Sequence, residues 1–133
     1  MGNRLSKIYT RTGDDGTTDL GNGERIDKTN IRIDVMGDLD ELNSLIGVLG
    51  SSGVIDNVSS HLLDIQHRLF DIGGELAIPG SAVINSIHVD SLEKIIDTYN
   101  EDLPALKEFI LPGGSEFNAR LHILRTTARN TER

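Results

Sequence analysis

Residues 55–78 read IDNVSSHLLDIQHRLFDIGGELAI. Within them Ile55, Val58, Leu62, Ile65, Leu69, Ile72 and Leu76 step by threes and fours, the period of one helix face, and Leu63 and Phe70 widen the stripe. A helix over this stretch would be about 36 Å long, which is long for a chain of 133 residues. Upstream, Val35, Leu39, Leu42, Ile46 and Leu49 set a second stripe within residues 31–50. Downstream, Asp90 offers an N-cap with Glu93 three residues on; Leu92, Ile95, Ile96, Tyr99 and Leu103 follow, and Pro104 ends the pattern. Ser115 caps a fourth helix marked by Phe117, Leu121, Leu124 and Ala128, which runs to Arg133 with no Gly or Pro stop, as if the sequence ended in mid-helix.

Working outward, four stripes with one sizeable connection at Pro79–Ile87 predict an all-α, up-and-down helical bundle. The chain is expected to be a single domain over 1–133, with a Gly-rich, irregular arm over 1–29 and helices over 30–133. In the second helix the polar residues Gln66, Arg68 and Glu75 are flanked by apolar ones on two sides, which predicts association of several bundles. Packing of every stripe inside a single four-helix core is the alternative.

Composition narrows the function. With no cysteine there is neither a disulfide framework nor a thiolate metal site, and the first ten residues lack the apolar core of a signal peptide. No apolar run is long enough to span a bilayer, so a soluble, cytoplasmic protein with no membrane partner is expected. The net charge of −8 argues against nucleic acid. Arg4, Lys7, Arg11, Arg25, Lys28 and Arg32 nevertheless lie near one end and Arg120, Arg125, Arg129 and Arg133 near the other. If the fold joins the ends, they form a compact positive site suited to a small polyanion; chance clustering on solvated faces is the plain alternative.

The stretch YTRTGDDGTT, residues 9–18, carries two glycines, four threonines and Arg11, the equipment of a phosphate loop. It matches no general template. The lysine of a Walker A loop is missing where Asn22-Gly23 follows Gly21, no apolar strand precedes a dinucleotide fingerprint, and an EF-hand register would put Arg11 and Asn22 where carboxylates belong. A β-turn around Asp14-Asp15-Gly16 is equally compatible. His61, His67, His88 and His122 form no i,i+4 pair and read as surface or packing residues rather than metal ligands.

Four motifs taken in order go further. KIYTRTGDDGTT, then Lys28, GDLDELNS, FILPGGS and RTTARNTER resemble, in order and spacing, the PduO-type ATP:cob(I)alamin adenosyltransferases, over nearly the whole chain from Lys7 to Arg133. That resemblance implies a homotrimer of five-helix bundles, represented here by about four helices, with active sites at subunit interfaces. The implied reaction moves the 5′-deoxyadenosyl group of ATP to the cobalt of cob(I)alamin and releases triphosphate. By the same resemblance Thr10, Arg11, Thr12, Gly13, Thr18 and Lys28 surround the ATP phosphates, with Arg129, Glu132 and Arg133 completing the site from a neighbouring subunit. Asp40 would pair with Arg125 across the interface, Phe109 would lie under the corrin ring, and Mg²⁺ would be held mainly by the phosphates. Lys28, Phe109 and Arg129 are the implied catalytic residues, and hand-over of product to an adenosylcobalamin-dependent enzyme is implied as well.

Read without the resemblance, Phe109 is an ordinary core phenylalanine, Arg125 and Arg129 are a solvated stripe at i,i+4 spacing, and Asp38, Asp40 and Glu41 are an acidic face. Family members continue into a further helix that reaches the active site. A helical module that binds ATP or corrinoid without turnover is therefore the rival reading.

Overall fold

The computed structural model describes residues 8–53 and 58–133. Two short strands, β1 (Thr17–Asp19) and β2 (Arg25–Asp27), precede four helices: α1 (Ile31–Gly50), α2 (Ser59–Ala77), α3 (Ser86–Asn100) and α4 (Glu116–Glu132). The helical reading is thus borne out, with one correction in the arm. The arm is irregular over residues 8–16 but then forms a short antiparallel hairpin, with Thr17 opposite Asp27, Thr18 opposite Ile26 and Asp19 opposite Arg25. Its turn is built on glycine: Gly23 has φ +85°, its amide donates to Leu20 O at 3.0 Å, and Leu20 N donates to Glu24 O at 2.8 Å.

Each helix start is set by a side chain or by its absence. Asn30 Oδ1 accepts from Arg32 N at 3.0 Å to open α1, and Ser115 Oγ accepts from Asn118 N at 3.1 Å to open α4. The sequence places the third start at Asp90, but α3 begins one turn earlier on Asn85. There Asn85 Oδ1 accepts from Ile87 N, and His88 Nδ1 reaches back to Asn85 N at 3.2 Å, a capping box with histidine in the usual Glu position. The helix also stops at Asn100 rather than at Pro104. Val58 gives α2 no side-chain cap, and Ile55 of the quoted stripe lies outside the described residues.

The core is a seam along α1. Leu39, Leu42, Ile46 and Leu69 are buried together, with Val35, Leu62, Ile65, Ile72, Leu76, Leu124 and Ala128 packed against them. The stripes that mark α1, α2 and α4 in the sequence are therefore the residues that meet. α1 packs against both α2 and α4. Across the α1–α2 seam Asn43 Nδ2 donates to Gln66 O at 3.3 Å and Gln66 Nε2 to Asn43 O at 3.1 Å. α3 stands off from α2 across an apolar cleft of about 500 Å³ lined by Leu62, Ile65, Leu92, Ile95 and Ile96, and it touches α2 through the edge-on His61–Tyr99 ring pair. The two residues that widen the α2 stripe, Leu63 and Phe70, are 56% and 68% exposed, so they are not part of this core.

Candidate functional site

The arm folds through its own polar side chains. Gly13 O accepts from Gly16 N at 3.2 Å, closing the turn expected around Asp14-Asp15-Gly16, and Gly16 sits at φ +86°. Asp15 Oδ1 accepts from Thr17 N at 3.0 Å and from Thr17 Oγ1 at 2.7 Å; these bonds hold the carboxyl below its ordinary 3.8, with Arg25 adding to the effect. Just before the turn, Thr10 and Thr12 share a hydroxyl contact of 2.9 Å. Between them Arg11 takes φ +61°, the only non-glycine residue with positive φ among the described residues, and its guanidinium lies 5.4 Å from the Tyr9 ring centroid. A side chain in that region costs about 1–3 kcal/mol and is characteristic of ligand-holding segments.

Lys28 closes this loop from the far end of the hairpin. Its amide donates to Gly16 O at 2.9 Å and its Nζ to Gly13 O at 2.7 Å, so the cation stands inside the Thr10–Gly13 bend. Gly13 is required there, since a Cβ would come within 2.8 Å of Thr17 O and 2.9 Å of Lys28 Nζ. Thr18 and Lys28 then face α1, and with Ile33, Met36, Gly37 and Asp40 they line a cavity of about 370 Å³. Lys28 therefore joins the Thr10–Gly13 bend to the cavity that Thr18 and Asp40 line.

A second cavity, about 520 Å³, lies at the other end of the candidate set. It is lined by Leu106, Lys107, Glu108, Phe109, Ile110, His122 and Arg125. Phe109 is fully exposed, which rules out the core-residue reading within this chain. Arg125 shares the cavity with it and has no ion pair with Asp40 among the described residues. Arg129, Glu132 and Arg133 occupy the last turn of α4, which rests on α1 where Thr131 Oγ1 donates to Asp38 O at 3.4 Å. Arg133 Nη2 donates to Asn130 Oδ1 at 2.6 Å, and Glu132 makes no ion pair with Arg129, three residues before it. No hydrogen bond or ion pair joins these residues to the arm among the described residues.

Two residues have no specific place in the sequence reading, which counts Arg25 only among the clustered cations and His122 only as a surface or packing residue. Arg25 is the hub of the hairpin: its guanidinium donates to Thr12 O at 2.8 Å, to Asp19 Oδ1 at 3.1 Å and, through Nε, to Thr17 Oγ1 at 3.1 Å. The cross-strand pairing of Asp19 with Arg25 is the signal that could have found it, had the hairpin been recognised. His122 lines the Phe109 cavity, three residues before Arg125 on the same helix face. Among the described residues no group of three or more His, Cys, Asp or Glu could hold a metal ion, and no helix is long and apolar enough to cross a membrane.

Residues 8–133 match the family model described as cobalamin adenosyltransferase. The chain is 54% identical, over its full length and 73% of the relative's, to a cobalamin adenosyltransferase of Cupriavidus metallidurans. It is 44% identical to a corrinoid adenosyltransferase of Mycobacterium leprae, again over the whole chain and 75% of that protein. Among solved structures it superposes with a TM-score of 0.87 and 36% identity on a phenylalanine-to-alanine variant of the PduO-type ATP:corrinoid adenosyltransferase from Lactobacillus reuteri, complexed with cobalamin and ATP; the match covers 95% of this chain and 74% of that one.

Proposed function

The chain belongs to the cobalamin adenosyltransferase family, and we accordingly propose that it transfers the 5′-deoxyadenosyl group of ATP to the cobalt of cob(I)alamin or a related corrinoid. In that reaction the Co(I) electron pair attacks C5′, the C5′–O5′ bond breaks with its electrons going to oxygen, and triphosphate leaves as the cobalt becomes formally Co(III). The nucleophile needs no general base. What the protein must supply is alignment of C5′ with cobalt and positive charge on the departing triphosphate.

The observation that carries this reading is the 2.7 Å bond from Lys28 Nζ to Gly13 O, which sets a cation inside the threonine-rich bend before any nucleotide arrives. Thr10, Thr12 and Thr18 hydroxyls and the Gly13 backbone supply the remaining polar groups for phosphate oxygens. Arg129 and Arg133, with Glu132 beside them, bring further charge from the end of α4, and we assign them to the arm of a neighbouring subunit in a homotrimer. Their lack of any bond to the described residues of their own chain's arm supports that assignment, as do the exposed Leu63 and Phe70 on α2. Asp40 and Arg125, unpaired with each other within the chain, are assigned to the same boundary. Phe109 offers an apolar face to the corrin, where a side chain with no lone pair favours a cobalt of low coordination number. The described residues build no cage for a resident metal. Mg²⁺ would therefore travel on the phosphates, as that ion commonly does. We assign the enzyme to the cytoplasm, where its product passes to an adenosylcobalamin-dependent enzyme.

A single-turnover mixture of the protein, ATP and cob(I)alamin tests the proposal: adenosylcobalamin and triphosphate should appear together in equal amounts. Lys28→Ala and Arg129→Ala each remove a charge-assisted contact worth about 1.5–3 kcal/mol, which is roughly 10- to 150-fold in kcat/KM for ATP. Nucleotide binding without product would favour the non-catalytic module instead.

A further inference from the structure

One side chain of the cavity beside Phe109 is incompletely satisfied within the chain. His122 lines it, and its Nδ1 is occluded from solvent with no hydrogen-bond partner. A proton on Nδ1 would be an occluded donor without an acceptor, so the ring loses least with its lone pair on Nδ1 and an N–H on Nε2. Nε2 is not among the occluded atoms and makes no hydrogen bond among the described residues, so it is the ring nitrogen left free to meet a ligand in the cavity that His122 lines. The charged wall residues of the same cavity, Lys107, Glu108 and Arg125, make no hydrogen bond to His122 that would compete for it.

Building on the adenosyltransferase reading, we propose that His122 donates a hydrogen bond from Nε2 to a peripheral amide carbonyl of the corrinoid seated beside Phe109. Corrinoids carry acetamide and propionamide groups around an apolar, planar macrocycle. A cavity with an exposed phenyl ring and an N–H donor complements such an edge, with the phenyl taking the face and the imidazole fixing its rotation. His122 is thus a specificity residue for the corrinoid and has no part in nucleotide binding.

The test uses the full chain and cob(II)alamin as the probe, with affinity read by absorption titration and ATP affinity measured in parallel. His122→Phe keeps the ring volume and removes the donor; His122→Gln keeps an N–H at the Nε2 reach. The phenylalanine variant should bind cob(II)alamin about tenfold more weakly with ATP affinity unchanged. Its thermal midpoint should hold or rise, because the orphaned Nδ1 is gone. The glutamine variant should stay within about threefold of the parent. Parent-like cob(II)alamin affinity in His122→Phe would overturn the proposal while leaving the adenosyltransferase reading intact. Equal weakening in both variants, with a lowered thermal midpoint, would make His122 a packing residue and overturn it too. A parent that binds no cob(II)alamin would remove the adenosyltransferase reading and this inference together.

Discussion

Single side chains in the arm are set by one another rather than by burial. Gly13 is the tightest case, and Gly13→Ala tests it: the new methyl would force Thr17 O or Lys28 Nζ away. The expected result is a loss in kcat/KM for ATP of about tenfold or more, matching the loss of the Lys28 bond, while the thermal midpoint stays near the parent's. A fall in stability with unchanged kinetics would contradict the role given to this bend. Most of these residues were legible in the sequence because a contiguous motif carries them. Arg25 was not, since its partners Thr12, Thr17 and Asp19 are brought to it by hairpin pairing that three-residue strands announce only weakly. His122 was missed for another reason: a lone histidine on a helix has no meaning until the loop containing Phe109 folds over it.

Among the elements, the connection between α2 and α3 is organised by one carboxylate. Glu75 Oε1 accepts from the amide of Ile84 at 2.6 Å and from that of Val83, and these bonds hold its pKa below the ordinary 4.5. The sign follows from the direction. A carboxyl whose folded pKa is depressed stabilises the fold above its unfolded value, and that contribution is lost as pH falls through the lower, folded one. The Val83 and Ile84 amide resonances should therefore move together in an acid titration at a midpoint below 4.5, and Glu75→Gln should abolish that movement. An unshifted Glu75 midpoint would refute the clamp. Helix existence was legible from apolar spacing, and the Ser115 start from residue type. The α3 start was not, because Asp90 with Glu93 is the stronger capping pattern on paper, whereas Asn85 with His88 needs the histidine ring to act as acceptor.

At the scale of the whole molecule, α1 is the shared partner on which α2 and α4 each depend. Ile46, 4% exposed in the common cluster, should show this: Ile46→Ala is expected to cost about 2–5 kcal/mol in denaturant unfolding. A cost under about 1 kcal/mol would mean that the seam is not the main source of stability. The bundle was legible because α1, α2 and α4 have stripes that satisfy one another. The separation of α3 was not, because Leu92, Ile95 and Ile96 have the same spacing as residues that do find a partner. The two sides of the candidate site differ in how they are tethered. The hairpin is fastened to the end of α2, where Gly21 N donates to Ala77 O at 2.7 Å and Arg32 Nη1 donates to Leu76 O at 2.6 Å. Residues 104–114, which carry Phe109, make no backbone hydrogen bond among the described residues. On the assignment proposed above, the entropy of ordering would fall almost wholly on the macrocycle's side, so rigidifying that span should tighten its capture and slow its escape while leaving the proposed triphosphate cradle indifferent.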